Sequence, residues 1–351
     1  MRLSLAGLIL IFASVGTYLL ISSRAASTLT ADFNSDGVVN VTDLSVLATN
    51  WGRTTATHAQ GDANSDGTIN IYDLSILASQ WGQTNTTPAP DPNWQTSLAN
   101  AQAGDVIVIP EGTYTLTQGQ VQWPGGDLYC NLVIPSGVTL KGSGVGKTIL
   151  VGGGTTSTNV IGSVSTTNIA ISDMTIMVDI SRKGSTSQDG IKMENVDGAT
   201  VSNVELKYLY IASNIIGSRN VTYTNVHAIE SQLGIDAINI ATYTNTANVL
   251  IKDSTATGIT NGWGFGTYDD TSQGSDVHVS GVTFQNDTAT GNDTTGLFCH
   301  LSDGLTIIGG DYSNNTSEGV KLNTCLNYLV SGANATNNPS GNFVYIASTS
   351  R

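Results

Sequence analysis

Charge is scarce in this sequence. Only 11% of its 351 residues are charged, and 13 Lys and Arg face 27 Asp and Glu. A formal net charge of −14 excludes general nucleic-acid binding, which needs a basic face. Cysteine is nearly absent. Cys130, Cys299 and Cys325 are too few for a disulfide scaffold. Cys299 and Cys325 can pair and leave Cys130 free, or all three can serve as small buried hydrophobes. Long apolar runs are missing after the first 26 residues, so no later segment is built to span a membrane. In their place stand 39 glycines and much Ser, Thr and Asn, a composition that suits short strands and turns better than long helices.

The start of the chain speaks to location. Arg2 precedes a mostly apolar run from Leu3 to Ile21, and Ser23-Arg24-Ala25 offers small residues for cleavage. Residues 1–26 therefore read as an export signal, or as an uncleaved membrane anchor. The expected destination is secreted, extracellular or cell-surface.

Residues 27–82 contain one acidic pattern twice, "ADFNSDGVVNVTDLSVLATNWG" and "GDANSDGTINIYDLSILASQWG". In the first copy Asp32, Asn34, Asp36, Asn40 and Asp43 occupy positions 1, 3, 5, 9 and 12 of a loop, with Gly37 at position 6. In the second copy they are Asp62, Asn64, Asp66, Asn70 and Asp73, with Gly67. Calcium takes six to eight hard oxygens, and a 12-residue loop presents them at this spacing. Position 7 supplies a backbone carbonyl, here from Val38 and Thr68. Two departures from an EF-hand stand out: position 12 is Asp rather than Glu, and a helix follows each loop but none precedes it. Leu44, Leu47, Ala48 and Trp51 give the first of these helices its apolar spacing.

A duplicated loop-then-helix of this kind resembles the dockerin module (type I-like) of bacterial carbohydrate-active enzymes, over residues 30–82. The resemblance implies two Ca2+ ions and a cohesin-type scaffold protein as partner. In dockerins the two residues before the last ligand help choose the cohesin; here they are Val41-Thr42 and Ile71-Tyr72.

Residues 83–95 are rich in Thr, Pro and Asn and read as a semi-rigid linker. Beyond them a weak repeat emerges. It runs Asn168-IAIS-Asp173, Gly198-ATVS-Asn203, Asn220-VTYT-Asn225, Asn248-VLIK-Asp253, Asp276-VHVS-Gly281, Gly304-LTII-Gly309 and Asn327-YLVS-Gly332. Each copy is a short alternating strand framed by Asn, Asp or Gly. A second strand motif lies between copies, as "DGIKMEN", "SNIIGS", "DAINIA", "WGFGTYD", "TGLFCHL", "EGVKLNT" and "GNFVYIA". One such coil cannot bury its own apolar face, but stacked coils share a continuous core. The expected fold is mainly β: a right-handed parallel β-helix over residues 96–351, ahead of a β-sandwich. The pattern resembles the pectin-lyase-like superfamily, which includes hydrolases, lyases, epimerases and non-enzymatic adhesins.

Side-chain alternation on the second motif turns Ile191, Met193, Ile238, Ile240, Leu297, Cys299, Val320 and Leu322 inward. The outward stripe then holds Asp189, Lys192, Glu194, Ser213, Asp236, Trp263, Tyr268, His300, Glu318 and Lys321. Asp189 and Asp236 read as equivalent positions two coils apart, or ~10 Å, near the roughly 6.5–9.5 Å that suits an inverting hydrolase. Asp189, Asp236 and Lys321 are the catalytic candidates. Trp263, Tyr268, His300 and Lys192 are the substrate-binding candidates, since aromatic faces stack on sugar rings. The other chemistry open to this stripe is β-elimination on a uronic-acid polymer. Its base would be Lys192, Lys321 or Arg219, and Asp189, Glu194 and Asp236 would hold one more calcium. The expected function is cleavage of glycosidic bonds in a polysaccharide; the alternative is a non-catalytic carbohydrate-binding or surface-display β-helix.

Overall fold

The computed structural model describes residues 29–34, 38–83, 90–117, 121–122, 129–154, 158–183, 188–239, 245–269 and 279–346. The N-terminal segment, Asp36, Ile240, Asp270 and Asp276 lie outside the described residues. Among the described residues no helix is long and apolar enough to cross a membrane. The chain divides into two compact units, residues 1–89 and 90–351.

In the first unit, helices α1 (Val41–Thr49) and α2 (Ile71–Ser79) follow the two acidic loops. Each helix begins on its own loop. Asn40 and Asn70 are the N-caps, and their side chains accept from the amides of Thr42 (2.7 Å) and Tyr72 (2.8 Å). Asp43 and Asp73 close the capping boxes by accepting from Asn40 N and Asn70 N, both at 2.9 Å. Their second oxygens accept from Phe33 N (2.8 Å) and Ala63 N (2.9 Å). Position 12 is Asp because a short carboxylate meets both amides at once. Phe33, Val39, Leu44, Leu47, Ile69 and Leu77 form a small core, while Trp51 is exposed at the end of its helix.

The second unit is a parallel β-helix. Its strands form a 13-stranded sheet and a 10-stranded sheet, with the chain alternating between them. The pairing is parallel throughout, except that Val121–Gln122 runs antiparallel to Tyr129–Val133. Helix α3 (Trp94–Ala99) packs Trp94 and Leu98 into the same core as the first coil. Ile171, Val201, Tyr223 and Ile251 of the larger sheet face Met193, Ile235, Phe265 and Val320 of the smaller one within a single buried cluster.

Asn, Asp and Gly frame each repeat because the chain bends there in the left-handed region, which these residues tolerate best. Asn168, Asn220, Asn248 and Asn327 take φ of 54°, 56°, 54° and 47° at one corner. Asp173, Asn203, Asn225 and Asp253 take 60°, 54°, 55° and 53° at the next. Their side chains bond along the stack, Asn203 to Asp173 at 3.0 Å and Asn225 to Asn203 at 2.9 Å. The fifth copy differs from its reading in the sequence. The strand is Ser280–Gln285, with Val249 in register with Val282, so Gly281 and Asn286 frame it rather than Asp276 and Gly281.

Cys299 and Cys325 form a disulfide across 26 residues, and Cys130 is free and buried. Burial pushes the Cys130 thiol up to about 12. A carboxyl group also sits in the helix wall. Asp287 is fully buried and accepts from Ser254 N (2.8 Å) and Gln285 N (3.1 Å), and burial pushes it up to about 8.

Candidate active site

The smaller sheet carries three register columns that define the site. On its outer face, Gly162, Lys192, Asn214, Asp236, Gly266, Phe298, Lys321 and Val344 succeed one another. Beside them run Val164, Glu194, Ile216, Ile238, Tyr268, His300, Asn323 and Ile346. The third column lies at the corner where strands begin. Asn159, Asp189, Ile211, Leu233, Trp263, Thr295, Glu318 and Gly341 follow one another there.

These columns correct the alignment read from the sequence. Asp189 and Asp236 are not equivalent positions. Asp236 shares its column with Lys192, and Asp189 belongs to the corner column with Trp263. The inward residues of the Asp236 strand are Ile235 and Ala237, both fully buried, rather than Ile238 and Ile240. Ser213 also turns inward, where its hydroxyl meets Tyr223 Oη at 2.6 Å and Ile191 O at 3.3 Å. A shift of one residue swaps the two faces of a strand, so two adjacent apolar residues, as in Ile215-Ile216, leave the face undecided.

The two carboxyl groups nevertheless converge. Alternation lapses at the corner, so Asp189 folds back over the sheet toward Lys192 (3.9 Å) and receives Asn214 Nδ2 at 3.4 Å. Asn214 is the strand neighbour of Asp236, so the residue that bonds Asp189 stands next to Asp236 in the column. Both carboxyls are buried, at 4% and 2% exposure. Burial raises Asp189 to about 6, against the pull of Lys192 and Asn214. Burial also raises Asp236 to about 7, with Trp263 opposing and Asp189 adding to the rise. Lys192 Nζ lies 3.5 Å from Glu194 as well, so its ammonium sits between two carboxylates. Asn214 Oδ1 is buried with no hydrogen-bond partner among the described residues.

An aromatic ledge adjoins the pair. The Trp263 indole N–H donates to Asp236, and its ring lies 4.7 Å from Phe298. Gly266 makes this possible, because a Cβ there would fall on the indole nitrogen and 2.7 Å from Asp236 Oδ1. Tyr268 stacks on His300 at 5.1 Å, and His300 lies parallel to Phe298 at 6.2 Å. Burial lowers His300 while Asp269 opposes, and its Nδ1 has no partner among the described residues.

Lys321 is not brought to the carboxyl pair. It stands three strands from Asp236 in the same column, about 14 Å away, and bonds Glu318 Oε1 at 2.7 Å. Burial alone would raise Glu318, but bonds from Lys321, Ser317 and Thr295 prevail and hold it at about 2. Arg219 lies on the other sheet, 3.0 Å from Asp197. Asn214 and Phe298 were not among the residues expected here. Phe298 was legible, since it alternates with inward Leu297 and Cys299; nothing in "SNIIGS" marks Asn214.

The acidic loops of the first unit suit calcium. Asp32, Asp43, Asp62 and Asp73 are all buried, and Arg53 is the lone Lys or Arg in residues 30–82. Buried carboxylates crowded at this density call for a cation. Asp62 turns both oxygens inward to the amides of Asp66 (3.2 Å) and Gly67 (2.8 Å), and Asp66 Oδ1 accepts from Thr68 N at 2.7 Å. The side chains of Asn40 and Asn70 fold back onto the carbonyls of Val38 (3.4 Å) and Thr68 (3.2 Å). The ligand set mixes amide, carbonyl and carboxylate oxygen, and among the described residues no group of three or more His, Cys, Asp or Glu stands ready for an ion.

The family model described as dockerin type I domain matches residues 30–82. These residues form a dockerin type I domain. Dockerin type I domains bind calcium, and dockerins bind cohesins. Comparison with curated protein sequences finds no match. Among solved structures, the mannuronan C-5 epimerase AlgE6 A-module of Azotobacter vinelandii is 18% identical, with a TM-score of 0.51 over 68% of this chain and 63% of its own. The chain thus spans less than two thirds of that module. PfbA, a surface adhesin of Streptococcus pneumoniae, is 15% identical over 70% of this chain and 67% of its own, with a TM-score of 0.49. Pectate lyase Pel9A is 14% identical over 70% and 72%, with a TM-score of 0.41. The likeness to the epimerase module establishes a shared β-helix fold.

Proposed function

We propose that the chain is an exported, cohesin-tethered glycoside hydrolase, with Asp189 and Asp236 as its acid–base pair. The observation that carries this reading is the pair itself: two buried carboxyls at about 6 and about 7, one bonded by Asn214 and the other its strand neighbour, beside an aromatic ledge. Groups of this kind are poised near neutrality, where acid–base catalysis is most efficient.

Asp236 is the more readily protonated and serves as the general acid. Its proton passes to the glycosidic oxygen as the bond from that oxygen to the anomeric carbon breaks. Asp189, kept ionised by Lys192, accepts a proton from the water that attacks the same carbon. Asn214 Oδ1 orients that water. Inversion at the anomeric carbon requires roughly 6.5–9.5 Å between the two carboxyl groups, and the hydrolase reading predicts that spacing in the complex with substrate. Trp263, Phe298, Tyr268 and His300 hold the adjoining sugars. Lys321 belongs to the far end of the same face and serves in binding.

Elimination is the weaker reading. Its base must be free to take a proton, yet Lys192 and Lys321 are both held by carboxylates. Lys192 also occupies the place where a calcium would sit between Asp189 and Glu194. In the dockerin domain two calcium ions fit, held by Asp32, Asn34, Asp36, Val38, Asn40 and Asp43, and by Asp62, Asn64, Asp66, Thr68, Asn70 and Asp73. Val41, Ile71 and Tyr72 are exposed on the first turns of α1 and α2 and form the cohesin-facing surface.

A product assay decides between the readings. Reducing ends without ultraviolet absorbance from unsaturated sugars are expected. Absorbance would replace the hydrolase reading with a lyase, and binding without cleavage would make the β-helix a platform.

A further inference from the structure

We propose that the cleft takes an uncharged glycan and rejects uronic-acid polymers. This rests on the reading of the site as a glycan-cleaving cleft and deepens it to a substrate class.

A uronate polymer brings one carboxylate per sugar, and each needs a cation or several donors to offset its lost hydration. The outer face offers neither. Among the described residues of its three columns it carries four carboxyl groups, Asp189, Glu194, Asp236 and Glu318, against two lysines. Each lysine is already committed. Lys192 is 9% exposed and lies between Asp189 and Glu194. Lys321 is bonded to Glu318 at 2.7 Å, and Glu318 is fixed in turn by Ser317 and Thr295, both at 2.7 Å. An incoming carboxylate would have to displace an internal one, while facing a surplus of like charge.

The rest of the face is shaped for a neutral ring. Between the carboxyl pair and Lys321 the columns hold Trp263, Gly266, Tyr268, Phe298 and His300, with no charged side chain among them save a titrating His. Ile216 and Ile238 continue this surface beside Asn214 and Asp236. Apolar and aromatic faces receive the C–H faces of a pyranose. The polar atom left over is an acceptor suited to a sugar hydroxyl. Asn214 Oδ1 is buried and has no partner among the described residues. Neutral sugars thus meet an acceptor and rings, and charged ones meet repulsion.

Binding and cleavage are measured in parallel on the full chain in calcium. The probes are pullulan, laminarin, barley β-glucan, xylan and mannan against polygalacturonate and alginate. Binding is read by retardation in polymer-containing native gels, and cleavage by reducing ends. At least one neutral polymer is expected to retard the protein, equally at low and high salt, while neither uronate does. Phe298→Ala should weaken that retardation about tenfold, while the circular dichroism of the β-helix stays the same. Neutral binding without cleavage would keep this substrate class and sink the hydrolase reading. Binding or cleavage of polygalacturonate or alginate would overturn the substrate class and leave glycan cleavage standing. Failure to bind every neutral polymer would also overturn it.

Discussion

In the dockerin domain, Asp43, Asp62 and Asp73 are buried with backbone amides around their oxygens. In the β-helix, Asp189, Asp236 and Asp287 are buried as deeply. Both regions face the cost of a desolvated carboxylate, which in practice a metal, a partner charge or a proton must relieve. The domain crowds its acids into two loops, where several can share one divalent ion. The β-helix spreads its acids along a stack, where Asp189 has one lysine and Asp236 and Asp287 are held by N–H donors, and burial raises all three. The difference teaches that spacing along the chain, rather than burial, decides between a metal site and a proton-transfer site.

The largest expected effect breaks the dockerin side of this contrast. Chelating calcium should unfold residues 30–82 while the β-helix stays folded. An ion present at 1,000 times its Kd stabilises by about 4 kcal/mol, a large share of a small domain's stability. Trp51 and Trp81 fluorescence with far-ultraviolet circular dichroism would report it. A dockerin domain that keeps its melting temperature in chelator would refute metal-dependent folding.

Next comes the exchange of carboxylate for amide in each region. Asp189→Asn and Asp236→Asn should each lower kcat by about 10²–10⁴-fold with the melting temperature held or raised. Asp43→Asn and Asp73→Asn should instead weaken calcium binding and destabilise their domain. If all four variants lost stability alike, the distinction between metal and proton would fail. In the parent protein, activity should rise as Asp189 ionises near pH 6 and fall as Asp236 ionises near pH 7. A broad plateau above pH 8 would argue against Asp236 as the acid.

Asp287 sharpens the contrast within the β-helix. Its folded value of about 8 exceeds the unfolded value, so between ~4 and 8 the folded chain holds a proton that the unfolded chain has lost. Its contribution is whole below that window and disappears as pH rises through 8, at most about 1.4 kcal/mol per unit. Asp287→Asn loses one amide acceptor and should cost about 1 kcal/mol at pH 5. Because the parent loses about 1.4 kcal/mol per pH unit across this window, the variant should become the more stable of the two from about pH 6 upward. Thermal melts at pH 5, 7 and 9 would show the crossing, and parallel curves would rule out a buried proton. Gly266→Ala should act on catalysis alone, lowering kcat/KM about tenfold by lifting the Trp263 indole from Asp236 while the fold persists.

Much of this was legible in the chain. The calcium loops were, because their ligands are local and twelve residues hold the whole pattern. So were the stacked coils, because the corners demand left-handed backbone and therefore Asn, Asp or Gly. Lys192, Tyr268 and His300 were placed on the right face by alternation, and Trp263 on the right sheet by its motif. Register was not legible. "SNIIGS" carries no alternating signal, so Ser213 was turned the wrong way and Asn214 was missed. The fifth coil was misread because Asp276-VHVS imitates the frame that Gly281 and Asn286 supply.

By itself, then, the sequence determined a duplicated acidic loop, a parallel coil and the face proposed to carry its chemistry, since each follows from short-range spacing. Only the tertiary structure decided which carboxyl groups meet. Asp189 and Asp236 lie 47 residues apart in numbering and in different columns. They converge because the chain bends at the corner, Asn214 fills the strand between them, and burial raises both toward neutrality. Those conditions are long-range, and no local pattern in the chain specifies them.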